Sequence, residues 1–578
     1  MDNGSMKHEP FVSRDIIDRK WVDINVPCQS ACPIRTDIPG YIEAIIHENY
    51  EKAYEINRLD NVFPGVLGRV CHRPCEPVCR HGREGLGDPV QICFLKRSAA
   101  DFGMEDLRPQ IAPNGKTICV IGAGPAGLTA ANDLALLGYS VTVIEQYEEP
   151  GGMMRYGIPQ FRLPADIVRT DIKSITDLGV EIKCNTRIDS WEALDDLKAE
   201  YDAVIVSGGC MLPTMFGLPG KDAEGVFWGL DFMMQANRDE LEVLPKKTVV
   251  IGGGFTALDC ARTSYRIGAE ATTIAYRRTI EFMQFSGEEE LHHLAEEEID
   301  LQLQVSPVEI VVEDGKAVGI KLIKNEIGEG GKMSAVEGSE YVIEADTVIL
   351  AIGQTAEELE GVDVKDESVP ESKGNLFMAG DFRNGSGTVI GACADGRKVG
   401  QKVHEMLSGE KFEEIVEISE VPIKSLPRNR EHDFIPPEKM PTIPVAERTQ
   451  TAEVETGLLN EQAHTEAHRC YLCHYNFQID LDRCIYCMKC IDVMPVDCIH
   501  LAKDITLGED GSINYERTKN WEEVEAIAID NDECIRCGNC LNACPVHCIS
   551  VSKYHLKTVV QPVQITRERP EAGTEVAA

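Results

Sequence analysis

One stretch limits the possible folds of this chain more than any other: Thr117 to Glu145, TICVIGAGPAGLTAANDLALLGYSVTVIE. The apolar run Ile118 to Ile121 leads into Gly122-x-Gly124-x-x-Gly127, then a helical stretch, then a second apolar run closed by Glu145. Strand, glycine turn, helix and strand in that register form a βαβ unit, which needs a parallel sheet covered on both faces. Gly122 makes the tight bend, Gly124 lets backbone approach a pyrophosphate, and Gly127 lets helix pack on strand. Pro125 and Ala126 open the helix, whose first N–H groups are unpaired and suit phosphate. Glu145 lies about 20 residues beyond the turn, where an acid hydrogen-bonds a ribose.

The pattern returns at Lys247. Val249 to Ile251 precede Gly252-x-Gly254-x-x-Ala257, with Phe255 and Thr256 between. This copy ends in Tyr276-Arg277-Arg278 instead of an acid. An arginine accommodates a ribose 2′-phosphate, so Arg277 and Arg278 point to NADP(H), with Arg262 on the helix as a further candidate. The acid-closed first unit is then left for FAD. The turn-rich GGMMRYGIPQFRLP, with Gly152, Met153 and Arg162, is assigned to the FAD side. DAVIVSGG (202–209) reads as a buried parallel strand. ADTVILAIG (345–353) and NLFMAGD (375–381) read as strands returning to the first sheet, so the second unit is inserted into the first. Gly380 and Asp381 stand at a strand end, where a carboxylate reaches a flavin's sugar-like chain. A helix beginning near Thr388 aims its dipole at the same cleft.

Composition bounds the remainder. Lys plus Arg total 57 and Asp plus Glu 96, a formal charge of -39, which argues against nucleic acid or an anionic membrane as partner. No apolar run approaches the length of a membrane span, and MDNGSMKHEPF has no apolar signal segment, so membrane insertion is not expected and a cytoplasmic location is. In that setting 22 cysteines suggest metal ligation rather than disulfides. Six lie between Cys28 and Cys93 and eleven between Cys470 and Cys548; Cys119, Cys184, Cys210, Cys260 and Cys393 are scattered singly.

The clearest cysteine pattern is Cys484-x₂-Cys487-x₂-Cys490 with Cys534-x₂-Cys537-x₂-Cys540-x₃-Cys544-Pro545. It is the two-cluster bacterial ferredoxin spacing, in which the fourth cysteine of each run ligates the other cluster. Cys484, Cys487, Cys490 and Cys544 are therefore assigned to one [4Fe-4S] cluster. Cys534, Cys537 and Cys540 hold the second. Its expected fourth ligand is replaced by Met494, and Cys498, four residues on, is the substitute; a three-iron cluster or none are the alternatives. Cys548 occupies the matching place in the second run, where no substitute is needed.

With PCQSACPIRTDIPGYI, GRVCHRPCEPVC, VIGAGPAGL, YGIPQFRLP, IGGGFTALDCARTS, AYRR and FMAGD, roughly residues 25–405 resemble one family. It comprises the NADPH-dependent glutamate synthase small subunit and relatives, including the N-terminal part of dihydropyrimidine dehydrogenase and the NADPH-oxidising subunit of electron-bifurcating transhydrogenases. The resemblance implies FAD at the first unit, NADPH at the second, and two N-terminal iron–sulfur clusters. Relatives carry E-A-x-R-C-x₂-C shortly before a segment like PCQSACP; here Glu466 to Cys473 supplies it from the far end. By resemblance Cys28, Cys79, Cys470 and Cys473 hold one cluster, and Cys32, Cys71 and Cys75 a second. The fourth ligand there, Gln or Glu in relatives, is Lys96. An ammonium cannot ligate, so Cys93 one turn earlier is the candidate. Phe255 stands where relatives often have Asn. Four clusters use sixteen of the cysteines.

The expected architecture is multidomain α/β: an N-terminal helical iron–sulfur domain (1–112), an FAD domain in two parts (113–215 and 345–408) and an inserted NADPH domain (216–344). A linker (409–462), a Cys-x-x-Cys segment (463–475), an α+β ferredoxin domain (476–558) and a disordered tail (559–578) complete it. The expected activity is hydride exchange between NADPH and FAD, with single electrons passed to partner subunits. The favoured setting is an electron-bifurcating transhydrogenase or hydrogenase complex coupling NADP(H), NAD(H) and ferredoxin, with an NADH-reactive flavin and iron–sulfur subunit as partner. Glutamate synthase and a non-catalytic iron–sulfur scaffold are the alternatives.

Overall fold

A computed structural model describes residues 11–12, 19–103, 112–241, 246–284, 288–328, 332–357, 372–423, 426–507 and 512–561. Thr117–Ile121 is the centre of a six-stranded sheet. Its order is Ser372–Lys373, Leu376–Met378, Ala203–Val206, Thr117–Ile121, Ser140–Ile144 and Glu181–Lys183. All neighbours are parallel except the first pair. Every residue of Ala203–Val206 and Leu376–Met378 is buried, because helices cover both faces. The helices Pro125–Ala135 and Val389–Ser408 pack along each other on one face.

A second parallel sheet, in the order Asp300–Leu303, Ala271–Tyr276, Lys247–Ile251, Thr347–Leu350 and Val226–Trp228, forms the inserted unit. This corrects one sequence expectation: Thr347–Leu350 pairs with Lys247–Ile251, so 345–353 belongs to the second sheet and not the first. Both sheets contain an all-apolar strand running into small residues, and the local pattern does not say which sheet receives it. An antiparallel flap, Val305–Glu313, Lys316–Ile327, Met333–Ala335 and Tyr341–Glu344, packs on this second sheet. Leu212–Pro213 and Gln354–Thr355 pair antiparallel where the chain enters and leaves this unit.

The N-terminal unit is helical. Ile38–Ile46 starts at Asp37, whose carboxylate accepts from Gly40 N, and buries eight of its residues. Tyr50–Asp60 is capped likewise by Asn49, and Ile92–Phe102 packs on Pro64–Val70. The far C-terminal part returns to it. The helix Asn460–His468 packs on Ile38–Ile46 and Ile92–Phe102. Tyr475–Ile479 then pairs with Ile549–Gln561.

The expected linker is also corrected. Lys411–Glu420 is a strand paired over ten residues with Ile549–Gln561. The stretch after it is held against the body: Arg448 to Glu296 and Glu297, and Glu453 to Arg69 and Arg97. Residues 559–561 end the long strand; the rest of the expected disordered tail lies outside the described residues. No helix among the described residues is long and apolar enough to cross a membrane.

Candidate functional site

One cavity of about 1160 Å³ runs across both glycine turns. A site for a single small molecule occupies roughly 300 to 1,000 Å³, so the cleft has room for more than one extended nucleotide. The first unit lines it with Gly122, Gly124, Pro125, Ala126, Glu145, Gly152 and Met153, and the returning chain adds Asp381 and Thr388. The second unit contributes Gly252, Gly254, Phe255, Thr256, Arg277 and Arg278.

Gly122 has φ of +100°, and a Cβ there would stand 2.5 Å from Ser207 O. Gly127 does not line the cavity; its Cβ would stand 2.2 Å from Gly122 O, so it serves helix–strand contact as expected. Glu145 is 4 % exposed, and its carboxylate accepts from Ala123 N at 2.7 Å and Tyr147 N at 3.0 Å. Burial pushes its pKa up. The Thr388 side chain accepts from Gly391 N at 3.2 Å and so caps the helix directed at the cleft. The Asp381 carboxylate accepts from Gly387 N at 3.1 Å. Gly380 and Ala257 stand behind the lining, Gly380 donating its N–H to Asp395.

Four arginines separate here by partner. Arg277 and Arg278 make no ion pair among the described residues; Arg278 lies over Phe282 at 5.3 Å, and its Nε is buried without a partner. In a chain of charge -39, two cations left unpaired in a cleft fit a phosphate. Arg262 is a correction. It is buried, pairs with Glu297 at 3.2 Å, lies over Phe161, and is absent from the cavity wall. Arg162 lines the cavity, but Asp259 and Glu290 each hold its guanidinium at 2.7 Å. It joins the two dinucleotide units rather than facing FAD.

The cysteines gather in four sets. Cys28 is buried beside Cys473, Cys470 and Cys79; burial and these neighbours push its thiol well above the usual range. The remote Cys-x-x-Cys thus meets the N-terminal unit as expected. Arg469 anchors it, donating to Pro89 O at 3.0 Å, Asp88 O at 2.7 Å and the Glu466 carboxylate at 2.6 Å. In the next set Lys96 is buried among Cys71, Cys93, Cys75 and Cys32. Burial alone would lower the ammonium pKa, but the surrounding sulfurs raise it. The Cys93 thiol donates to Leu67 O at 3.3 Å and Gly68 O at 3.5 Å, while its N–H donates to Glu76. Glu76, overlooked in the sequence, adds a half-buried carboxylate beside Cys93.

Cys484, Cys487, Cys490 and Cys544 line one small apolar pocket, joined by Cys548. Burial pushes the Cys490 thiol up to about 11. Cys498 lies among Cys534, Cys540 and Cys537, and its hydrogen bond with Cys534 raises the Cys498 pKa and lowers that of Cys534. Among the described residues no three His, Cys, Asp or Glu side chains converge on a single-ion site. Thiolates gripping the corners of a cube stand further apart than ligands of one ion, so the sets fit clusters. Buried thiols with raised pKa also need a bound cation before they ionise.

These sets lie in series. Val70 and His72, beside Cys71, line the large cavity. Cys75 is a neighbour of Cys28. Arg536, 2 % exposed, joins the next pair: its Nη2 donates to Cys473 O at 3.1 Å, and its N–H reaches Cys534 Sγ at 3.4 Å. Arg80 seals the same seam through Asp532 at 2.6 Å. Cys540 in turn neighbours Cys490, and Cys487 of that last set is exposed. Neither arginine carried a sequence signal: Arg80 meets a partner 452 residues away, and Arg536 reaches back 63 residues to a carbonyl.

The fold and these sites define an FAD- and NADP(H)-dependent iron–sulfur oxidoreductase. Three family models match: pyridine nucleotide-disulphide oxidoreductase over 116–396, dihydropyrimidine dehydrogenase domain II with a 4Fe-4S cluster over 23–107, and the 4Fe-4S dicluster domain over 476–545. The chain is 33% identical to the NADPH-Fe(3+) oxidoreductase subunit beta of Geobacter sulfurreducens, across 78% of this chain and 75% of that one. It is 32% identical to the NADP(+)-dependent formate dehydrogenase subunit beta of Moorella thermoacetica (78% and 71%). It is also 32% identical to the glutamate synthase [NADPH] small chain of Escherichia coli (66% and 89%). The chain belongs to this glutamate synthase small-chain family of flavin and iron–sulfur oxidoreductases. It is an NADPH-dependent electron-transfer subunit and an enzyme component, which sets the scaffold reading aside.

Proposed function

We propose that this chain is the NADP(H)-reactive subunit of an electron-bifurcating complex coupling NADP(H), NAD(H) and ferredoxin, with an NADH-reactive flavin and iron–sulfur subunit as partner. The observation that carries the reading is the unbroken series of cysteine sets from the cavity wall to exposed Cys487. When bound, FAD interconverts hydride and single-electron transfer, and four [4Fe-4S] clusters conduct single electrons. The chain's own part is placement. The first glycine turn, Glu145, Asp381 and Thr388 hold FAD; the second turn with Arg277 and Arg278 holds NADPH. Cys32, Cys71, Cys75 and Cys93 lie nearest the cavity, followed by Cys28, Cys79, Cys470 and Cys473. Cys534, Cys537, Cys540 and Cys498 come next, and Cys484, Cys487, Cys490 and Cys544 face the partner.

The two beta-subunit relatives match 78% of this chain and the glutamate synthase chain 66%, at nearly equal identity, which favours a ferredoxin-bearing complex. A glutamate synthase small subunit is the second reading, supported by the 89% of that relative covered. Anaerobic purification from the native source, with every co-eluting chain identified, distinguishes them. An NADH-reactive flavin and iron–sulfur chain is expected; an amidotransferase chain in its place overturns the first reading.

A further inference from the structure

The ferredoxin unit contains an internal repeat that puts a fifth cysteine in one pocket. CIYCMKCIDVMPVDCIH begins at Cys484 and CIRCGNCLNACPVHCIS at Cys534. Aligned from those cysteines, Met494 matches Cys544 and Cys498 matches Cys548. The backbone repeats as well. Tyr486 and Arg536 both have φ of 53°, and the short helices Lys489–Asp492 and Asn539–Ala543 each follow a left-handed residue, Met488 or Gly538. Cys498 O accepts from Asp530 N at 2.8 Å, and Cys548 O accepts from Asp480 N at 2.7 Å. Each of these cysteines is therefore clamped to the loop that opens the other half's triad.

The halves differ in what fills the fourth place. Cys498 faces Cys534, Cys537 and Cys540, and in the sequence repeat Met494 takes the place of the missing ligand. Cys548 stands equivalently toward Cys484, Cys487 and Cys490, yet Cys544 is there too, with its Sγ 3.5 Å from Cys548 Sγ. Resting on the reading that this pocket holds a four-iron cluster, we propose that Cys544 and Cys548 are interchangeable fourth ligands of that cluster. In the exchange the iron–sulfur bond to Cys544 breaks as the bond to Cys548 forms. The proton of the Cys548 thiol passes to the departing Cys544 thiolate, and no electron is gained or lost. The exposed end of the series thus keeps its fourth iron when either thiol is withdrawn, whereas the neighbouring pocket has Cys498 alone.

The test uses the full chain purified anaerobically, with iron analysis and EPR of oxidised and dithionite-reduced samples. The central variant is Cys544→Met, which copies the arrangement the first half already accommodates at Met494. It is expected to keep the wild-type iron content and show no three-iron signal when oxidised, as is Cys548→Ala. The pair Cys544→Met with Cys548→Ala is expected to lose about one iron atom per chain and show that signal. Cys498→Ala alone is expected to do the same in the other pocket. A three-iron signal in Cys544→Met with Cys548 intact overturns the exchange. Wild-type iron and EPR retained in Cys484→Ala would instead overturn the cluster reading beneath it.

Discussion

The NADPH-binding unit and the rest of the molecule are built by different means. The N-terminal helices, the FAD sheet and the ferredoxin unit share one continuous apolar core that runs from Trp21 through Ile118, Val141 and Cys470 to Tyr554. The inserted unit has cores of its own, confined to residues 218–350. Its ties to the body include a polar set: Arg162 to Asp259 and Glu290, Arg448 to Glu296 and Glu297, and Asn237 to the Tyr156 and Ile158 carbonyls. Close-packed apolar cores transmit strain and admit little sliding, which suits cysteine sets that must stay in series. Directional charges hold the unit whose nucleotide must come and go. The difference makes the first region sensitive to loss of volume or clusters, and the second to single charges.

The largest effect is expected from Cys470→Ala with Cys473→Ala. Both cysteines come from the far end of the chain and sit in the shared core; on the proposed four-cluster reading their loss is expected to remove about four iron atoms of about sixteen. It should also lower the unfolding temperature of the N-terminal and ferredoxin units together, while the NADPH unit keeps its own transition in calorimetry. Iron loss without that joint shift would break the picture of one core. Next comes Glu297→Gln. Arg262, Arg266 and Arg448 converge on this fully buried carboxylate, and stripping a partner from a buried ion network costs about 3–5 kcal/mol. Hydrogen exchange is expected to accelerate around 255–300 and 445–456 and to stay unchanged in the helical unit. A smaller effect follows from Arg277→Ala with Arg278→Ala. Hydrogen bonds to charged groups are worth about 1.5–3 kcal/mol, so KM for NADPH should rise roughly 10- to 100-fold with little change for NADH. Equal losses for both nucleotides would sink the 2′-phosphate role.

What the sequence made legible follows the same divide. Glycine turns and Cys-x-x-Cys runs are local, and their spacing fixes both geometry and chemistry, so the turns at Gly122 and Gly252 and the ferredoxin triads are all found where expected. The return of Cys470 and Cys473 to Cys28 was legible only because relatives carry the motif elsewhere. Partnership over long separations was not legible. Arg262 looked like a phosphate ligand because nothing in its neighbourhood announces Glu297. Lys411–Glu420, KFEEIVEISE, reads as a charged, irregular stretch, yet it is an outer strand where charge is tolerated once Ile549–Gln561 supplies the pairing. Thr347–Leu350 matched either sheet, since a strand buried on both faces carries no mark of its neighbours.

The gentlest probe is pH, because it singles out carboxyls shifted in opposite directions: Asp171 and Asp60 in the shared core and Glu297 in the NADPH unit. Asp171 is buried between the Pro64–Val70 helix and the FAD unit, accepting from Val66 N at 2.9 Å; burial raises its pKa to about 6. Asp60, at the end of the Tyr50–Asp60 helix and near Arg397, is raised by desolvation to about 7. A carboxyl whose folded pKa exceeds its unfolded value takes up its proton first in the folded state. The shared core should therefore gain stability as pH falls from about 7 to about 4 and lose it again on the way back up. Glu297 has the opposite setting: burial would raise it, but Arg266 and Arg262 hold it at about 2. Its stabilisation is fully present above the ordinary glutamate value and drains away as pH falls from about 4.5 to about 2. Calorimetry at stepped pH should show the transition of the shared core rising slightly between pH 7 and 5 while that of the NADPH unit stays flat. Below pH 4.5 the NADPH unit should then fall, and Glu297→Gln should abolish most of that fall. A single transition moving as one at every pH would mean that polar ties couple the two regions as tightly as a common core does.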